Sequence, residues 1–174
     1  MEISLDQLLT ARDERAAKIA LLRRQYPGAC VVSFTLVTPG PVKQTPETKR
    51  LFDAGVAALS RLLARYELVL LAFEARELPT GEEAYLAVKT EPGFLKTELC
   101  KLEESAPYGR LWDMDVIKPD GARVAREDVG FVERGCIVCG RAGRACASRR
   151  LHPMEEVLAA ARALMDTFSS GSRL

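Results

Sequence analysis

The chain lacks any run approaching 18 consecutive apolar residues, which excludes a membrane-crossing helix of the ordinary kind. Its start, Met1-Glu2-Ile3-Ser4-Leu5-Asp6, lacks a basic segment followed by an apolar one, so no export signal is expected and the cytoplasm is the expected compartment. It lacks an excess of charge: the formal net charge is +1, so no strong overall field points to nucleic acid or an anionic membrane as partner. No internal repeat and no low-complexity segment is present, and neither a solenoid nor a linker array is expected. What remains is an ordinary composition, 48% hydrophobic and 28% charged over 174 residues, enough for one domain with its own core, 1–174.

The stretch with most chemistry in it is Gly109-Arg110-Leu111-Trp112-Asp113-Met114-Asp115-Val116. Alternation along a strand puts Asp113 and Asp115 on one face, with Trp112, Met114 and Val116 on the other. At about 7 Å along the strand, two carboxylates can hold one divalent cation or flank a pair, and magnesium takes one or two such ligands beside phosphate oxygens. A solvent-facing polar stripe has the same spacing. Downstream, Val124 to Phe131 reads as a partner strand, offering Glu127 and Asp128 as further carboxylates.

Upstream, Ser4 and Gln7 open a helix that runs to about Gln25 and stops at Tyr26-Pro27-Gly28. Arg12-Asp13-Glu14-Arg15 within it forms an exposed charged face or a lip over an anionic site. Ala29 to Val37 is a buried strand that empties into Thr38-Pro39-Gly40-Pro41-Val42-Lys43, a stiff loop with Lys43 as a phosphate-binding candidate. Thr45-Pro46 then starts a helix. Strands at Glu67–Phe73 and Ala84–Lys89 are joined through Leu78-Pro79-Thr80-Gly81, a helix begins at Pro92, and a last helix begins at Pro153. The order of elements predicts an α+β class, a mixed β-sheet with flanking helices rather than regular βαβ winding.

Five cysteines without an export signal point to free thiols or metal. Cys136 and Cys139 form a Cys-x-x-Cys pair; Cys146 and His152 complete a set of four able to hold structural zinc, a small Cys-rich knuckle over residues 133–152 before the last helix. Reduced core cysteines, a redox pair, a cysteine nucleophile with His152 as base, and His152 as a mere helix cap are the competing readings. Arg134, Arg141, Arg144, Arg149 and Arg150 concentrate positive charge there, suiting an anionic ligand or an acidic protein surface.

Taken together, Leu8-Leu9-x-x-Arg12-Asp13-Glu14-Arg15, Val32-Ser33-Phe34-Thr35 through Lys43, the Gly109–Val116 string and the cysteine knuckle resemble the apo-citrate lyase phosphoribosyl-dephospho-CoA transferases, from about residue 5 to residue 165. The resemblance implies a nucleotidyltransferase-like enzyme. It would move the phosphoribosyl-dephospho-CoA group from 2′-(5″-triphosphoribosyl)-3′-dephospho-CoA to a serine of the citrate lyase acyl carrier (gamma) subunit, releasing pyrophosphate. It implies magnesium on Asp113 and Asp115, with Asp128 as a third carboxylate, and a proton acceptor among the three. Arg110 is then expected at the pyrophosphate or the reacting phosphorus, and Lys43, Arg12 and Arg15 at the phosphates. Other readings are the sister activity towards malonate decarboxylase and a zinc-knuckle binding protein with no catalysis. No Gly-Ser pair stands before the aspartates, the nearest segment being Pro92-Gly93-Phe94.

Overall fold

The computed structural model describes residues 2–171. Along the chain come α1 (Leu5–Gln25), β1 (Cys30–Leu36), α2 (Pro46–Arg65), β2 (Val69–Leu78), β3 (Gly81–Lys89), α3 (Pro92–Glu104), β4 (Trp112–Ile117), β5 (Arg123–Val124), α4 (Gly143–Arg149) and α5 (Met154–Gly171). Helix starts follow local chemistry. The Ser4 hydroxyl accepts the Gln7 N–H while the Gln7 side chain accepts the Ser4 N–H, and Thr45 and Thr48 repeat the exchange at α2. At α3 the Glu91 carboxylate takes the Gly93 and Phe94 N–H groups ahead of a first-turn proline.

The five strands lie in the order β2-β3-β1-β4-β5. The α+β class is as expected, but every ladder is antiparallel and the sheet is not mixed. The reason lies in the connections. Helix α2 carries the chain from β1 to a strand two places away, and the hairpin partner β3 returns to fill the gap. Helix α3 likewise carries it from β3 past β1 to β4. Each crossover joins strands of like direction that never touch, a split βαβ arrangement.

Helices α2 and α3 cover one face of this sheet. Val32, Phe34 and Met114 point into that core against Leu51, Leu59 and Leu99. Gly55 is needed there: a Cβ on it would collide with the Phe34 ring, so α2 lies closer to the sheet than any side chain permits. The opposite face holds Val31, Ser33 and Thr35 of β1 in register with Ile117, Asp115 and Asp113 of β4. Helix α1 covers only part of it. Leu22 packs on Val31, Tyr85 and Ile117, while Arg15 and Lys18 pair with Glu83 and Glu74.

The expected partner strand over Val124–Phe131 is not formed. Only Arg123 and Val124 pair with β4, and Glu127–Val129 is a 3₁₀ turn closed by Gly130 at φ +82°. A left-handed glycine and an Asp128 carboxylate that accepts the Ala125 N–H turn the chain away from the sheet. Among the described residues no helix is long and apolar enough to cross a membrane.

Candidate functional site

The aspartate pair is built as its alternation predicts. Asp113 faces Thr35 and Asp115 faces Ser33 on the sheet face that α1 leaves partly open. Met114 between them points into the core, and its backbone lies beyond the reach of the two-residue strand β5. Two side chains of α3 supply the missing pairing. Lys96 Nζ donates to the Met114 carbonyl at 2.8 Å, and the Glu103 carboxylate accepts the Met114 N–H at 2.9 Å. Both side chains are buried. Glu103 also holds Arg126 at 2.6 Å and pairs with Arg134, which reaches on to Asp113 Oδ1 at 3.3 Å. Arg123 stands 3.2 Å from Asp115 Oδ2. Burial raises the proton affinity of Asp115, and the neighbouring Asp113 charge raises it further, against the pull of Arg123 and Lys96.

Asp113 lines a polar cavity of about 280 Å³ together with Arg15, Thr35, Thr38, Lys43 and Glu82. The loop after β1 therefore does lie beside the aspartate strand. Gly40 sits at φ +82° between its prolines, and Lys43 Nζ donates back to the Thr38 carbonyl at 2.6 Å. Burial lowers the Lys43 pKa, which makes an anion in the cavity a welcome partner for its charge. Arg15 gives Nε and Nη2 to Glu83 Oε1 at 3.0 and 2.6 Å, which fixes the guanidinium along one wall. Burial raises the pKa of Glu82, against weaker pulls from its own backbone N–H and from Gln44. Arg12, by contrast, lies on the exposed side of α1 and does not line the cavity. Nor does Asp128, which is exposed and accepts the Ala125 N–H of its own turn.

The knuckle gathers Cys136, Cys139, Cys146 and His152 so that one ligand atom from each lies within 4.8 Å of every other. Its tight turn is closed by Cys136 N–H to the Arg141 carbonyl at 2.6 Å and Gly140 N–H to the Cys136 carbonyl at 2.9 Å, with Gly140 at φ +72°. Backbone N–H groups of Cys139 and Val138 pull the Cys136 thiol down to about 7, while burial and the neighbouring thiols push Cys146 up to about 11. His152 Nε2 is buried without a hydrogen-bond partner, and Nδ1 faces the Glu156 carboxylate at 3.5 Å. An orphaned imidazole nitrogen aimed among three thiols, its other nitrogen oriented by a carboxylate, fits a tetrahedral metal.

Arg110 does not line the polar cavity. Its Nε and Nη2 donate to the Gly135 carbonyl at the root of the knuckle, at 3.2 and 2.7 Å, and it lines a second, larger cavity of about 660 Å³. Burial, then the charge of Arg134, lowers its pKa. The clustered arginines thus divide. Arg134 serves Glu103 and Asp113, Arg150 joins Arg110 at the second cavity, and Arg141, Arg144 and Arg149 are exposed.

A family model described as apo-citrate lyase phosphoribosyl-dephospho-CoA transferase matches residues 3–168. The chain belongs to that family. A relative bearing the same description from Escherichia coli is 35% identical over 164 residues, covering 94% of this chain and 89% of the relative, and one from Shigella boydii matches to the same extent. Membership makes the chain a transferase, and it places the aspartates, the polar cavity and the knuckle all within the matched region. Lys96, Glu103 and Glu156 escape a reading of the sequence. Lys96 and Glu103 are seven residues apart on the buried side of α3, a spacing visible in sequence, yet nothing there tells an inward charge from an exposed one. Glu156 is four residues after His152.

Proposed function

We propose that the chain transfers the phosphoribosyl-dephospho-CoA group from 2′-(5″-triphosphoribosyl)-3′-dephospho-CoA to a serine hydroxyl of the citrate lyase acyl carrier (gamma) subunit. The observation that carries this reading is the meeting of Asp113, Arg15 and Lys43 in one polar cavity. The serine oxygen attacks the phosphorus nearest the ribose, the bond to the next phosphate breaks, and pyrophosphate leaves. Arg15 and Lys43 stand where they can hold the departing phosphates, the role expected of Arg110. One of Asp113 and Asp115, which share the face beside the cavity, takes the serine proton. Asp113 and Asp115 share a face and repel one another, a donor set that suits magnesium. These two carboxylates would hold magnesium, which when bound would supply charge neutralisation on the triphosphate. The exposed Arg141 and Arg149 suit an acidic carrier surface, and the setting is cytoplasmic.

Labelled donor, purified apo-carrier and this chain are expected to give labelled carrier with magnesium and none with EDTA. Absence of label on an authenticated citrate lyase carrier, with label on a malonate decarboxylase carrier, would reassign the acceptor.

The metal of the knuckle is zinc in this reading, held by Cys136, Cys139, Cys146 and His152 Nε2. Elemental analysis is expected to find one zinc per chain. Glu156→Gln is expected to weaken zinc affinity about 10–100-fold in a chelator competition, since it frees the ring that Glu156 orients. Unchanged affinity would remove Glu156 from the site.

A further inference from the structure

We propose that the cavity between the cysteine knuckle, the Val37–Pro39 segment and α5 binds the dephospho-CoA part of the donor, with Arg110 and Arg150 on its phosphates. The inference rests on the transferase reading and adds a place for the half of the substrate that does not react.

The cavity, about 660 Å³, falls within the range of small-molecule sites. Its walls are largely apolar, from Val37, Pro39, Ile137, Ala147, Met154 and Val157; the knuckle's Cys136, Cys146 and His152 also face it, and among the described residues no carboxylate lines it. Two arginines do. Arg110 is half-buried and, among the described residues, has no carboxylate within ion-pair distance. Its bonds to Gly135 use two of five N–H donors, leaving three for an anion. Its lowered pKa agrees with a charge that the protein alone leaves under-compensated. Arg150 follows α4 in the left-handed region, φ 50°, with an exposed side chain at the cavity. Apolar walls with two arginines and no lining carboxylate among the described residues suit a ligand that is both anionic and apolar.

The position decides which ligand. Val37 and Thr38 line this cavity and the polar cavity of Asp113, Arg15 and Lys43 alike, so the two are neighbours across one segment. The donor has the same two-part character. Its triphosphate needs cations and carboxylates, and its nucleotide carries an adenine, a diphosphate and a long pantetheine arm. The smaller polar cavity fits the first and the larger apolar one the second. The knuckle is then a wall of the substrate site as well as a metal-ligand cluster.

The test uses the zinc-replete full chain and 3′-dephospho-CoA as probe. Calorimetry is expected to show binding to the wild type, at least tenfold weaker binding to Ala147→Trp and to Arg150→Glu, and binding within twofold of wild type for Asp113→Ala. Zinc content and melting temperature equal to wild type establish that each variant is folded; Arg150→Glu sits on the surface and keeps the test open if Ala147→Trp does not fold. In the transfer assay both variants are expected to raise the KM for donor about tenfold at similar kcat. Equal dephospho-CoA binding by wild type, Ala147→Trp and Arg150→Glu overturns the inference, as does a rise in the KM for carrier with none for donor. In either case label transfer by the wild type leaves the transferase reading standing. If the wild type transfers no label while dephospho-CoA binding still depends on Ala147 and Arg150, the transferase reading fails and the site remains.

Discussion

Asp113→Ala is expected to reduce transfer by roughly 10²–10³-fold or more, the scale of losing a charge-stabilising group at a phosphoryl centre, without loss of fold. Asp113 is half-exposed, and its only ion pair among the described residues is the contact with Arg134, which keeps its stronger tie to Glu103. Asp115 is raised in the folded chain, so it favours folding only while protonated, and that advantage is lost as pH rises through its folded pKa. Ionising Asp115 in the folded chain therefore costs stability, with burial the first cause of that cost and Asp113 the second. Removing Asp113 lowers the cost. The variant is expected to melt at the wild-type temperature or slightly above at pH 7, and a residue kept for function is the kind whose loss has this signature. Activity retained within threefold, or a clear drop in melting temperature, would take Asp113 out of the catalytic role.

The two groups that sequence alone brings into view share a property: each is set by short spacing within one segment. Asp113 and Asp115 alternate on a strand whatever surrounds it, and Cys136, Cys139, Cys146 and His152 are close along the chain, so local geometry suffices to assemble them. What sequence leaves out depends on distant pairing. Asp128 has the right chemistry three residues past Ala125, and a capping bond with a left-handed Gly130 takes it out of the sheet. Arg12 and Arg15 are one helical turn apart, and only the contact of Arg15 with Glu83, 68 residues on, decides which of them reaches the cavity. The fully antiparallel sheet has the same origin. A helical crossover predicts parallel strands, and only the insertion of β3 between β1 and β2 separates them. Arg110 precedes the aspartate strand directly, yet the Gly135 carbonyl draws it to the other cavity.

Lys96 and Glu103 carry the second large expectation, with the opposite signature. Between them they take both backbone groups of Met114 on the side of β4 that β5 does not reach. Glu103→Ala leaves the Met114 N–H buried without a partner and strips Arg126 and Arg134 of their shared carboxylate. Breaking a buried ion pair from one side costs about 3–5 kcal/mol, which for a chain of this size lowers the melting temperature by on the order of 10 °C. Lys96→Met is expected to destabilise for the same reason and to do one thing more. Lys96 is among the charges that hold the Asp115 proton affinity down, so its loss raises Asp115 further and delays formation of the carboxylate to higher pH. If Asp115 is the proton acceptor, the acid limb of kcat/KM must move to higher pH in Lys96→Met, measured below its melting temperature. A destabilised variant with an unmoved limb would leave Lys96 as packing and edge closure alone, and would move the base away from Asp115. Two buried charges on one residue's backbone are a costly way to finish a sheet edge. They close the backbone of the residue that stands between Asp113 and Asp115, so the same two charges that finish the edge of β4 also fix the strand from which the aspartates project.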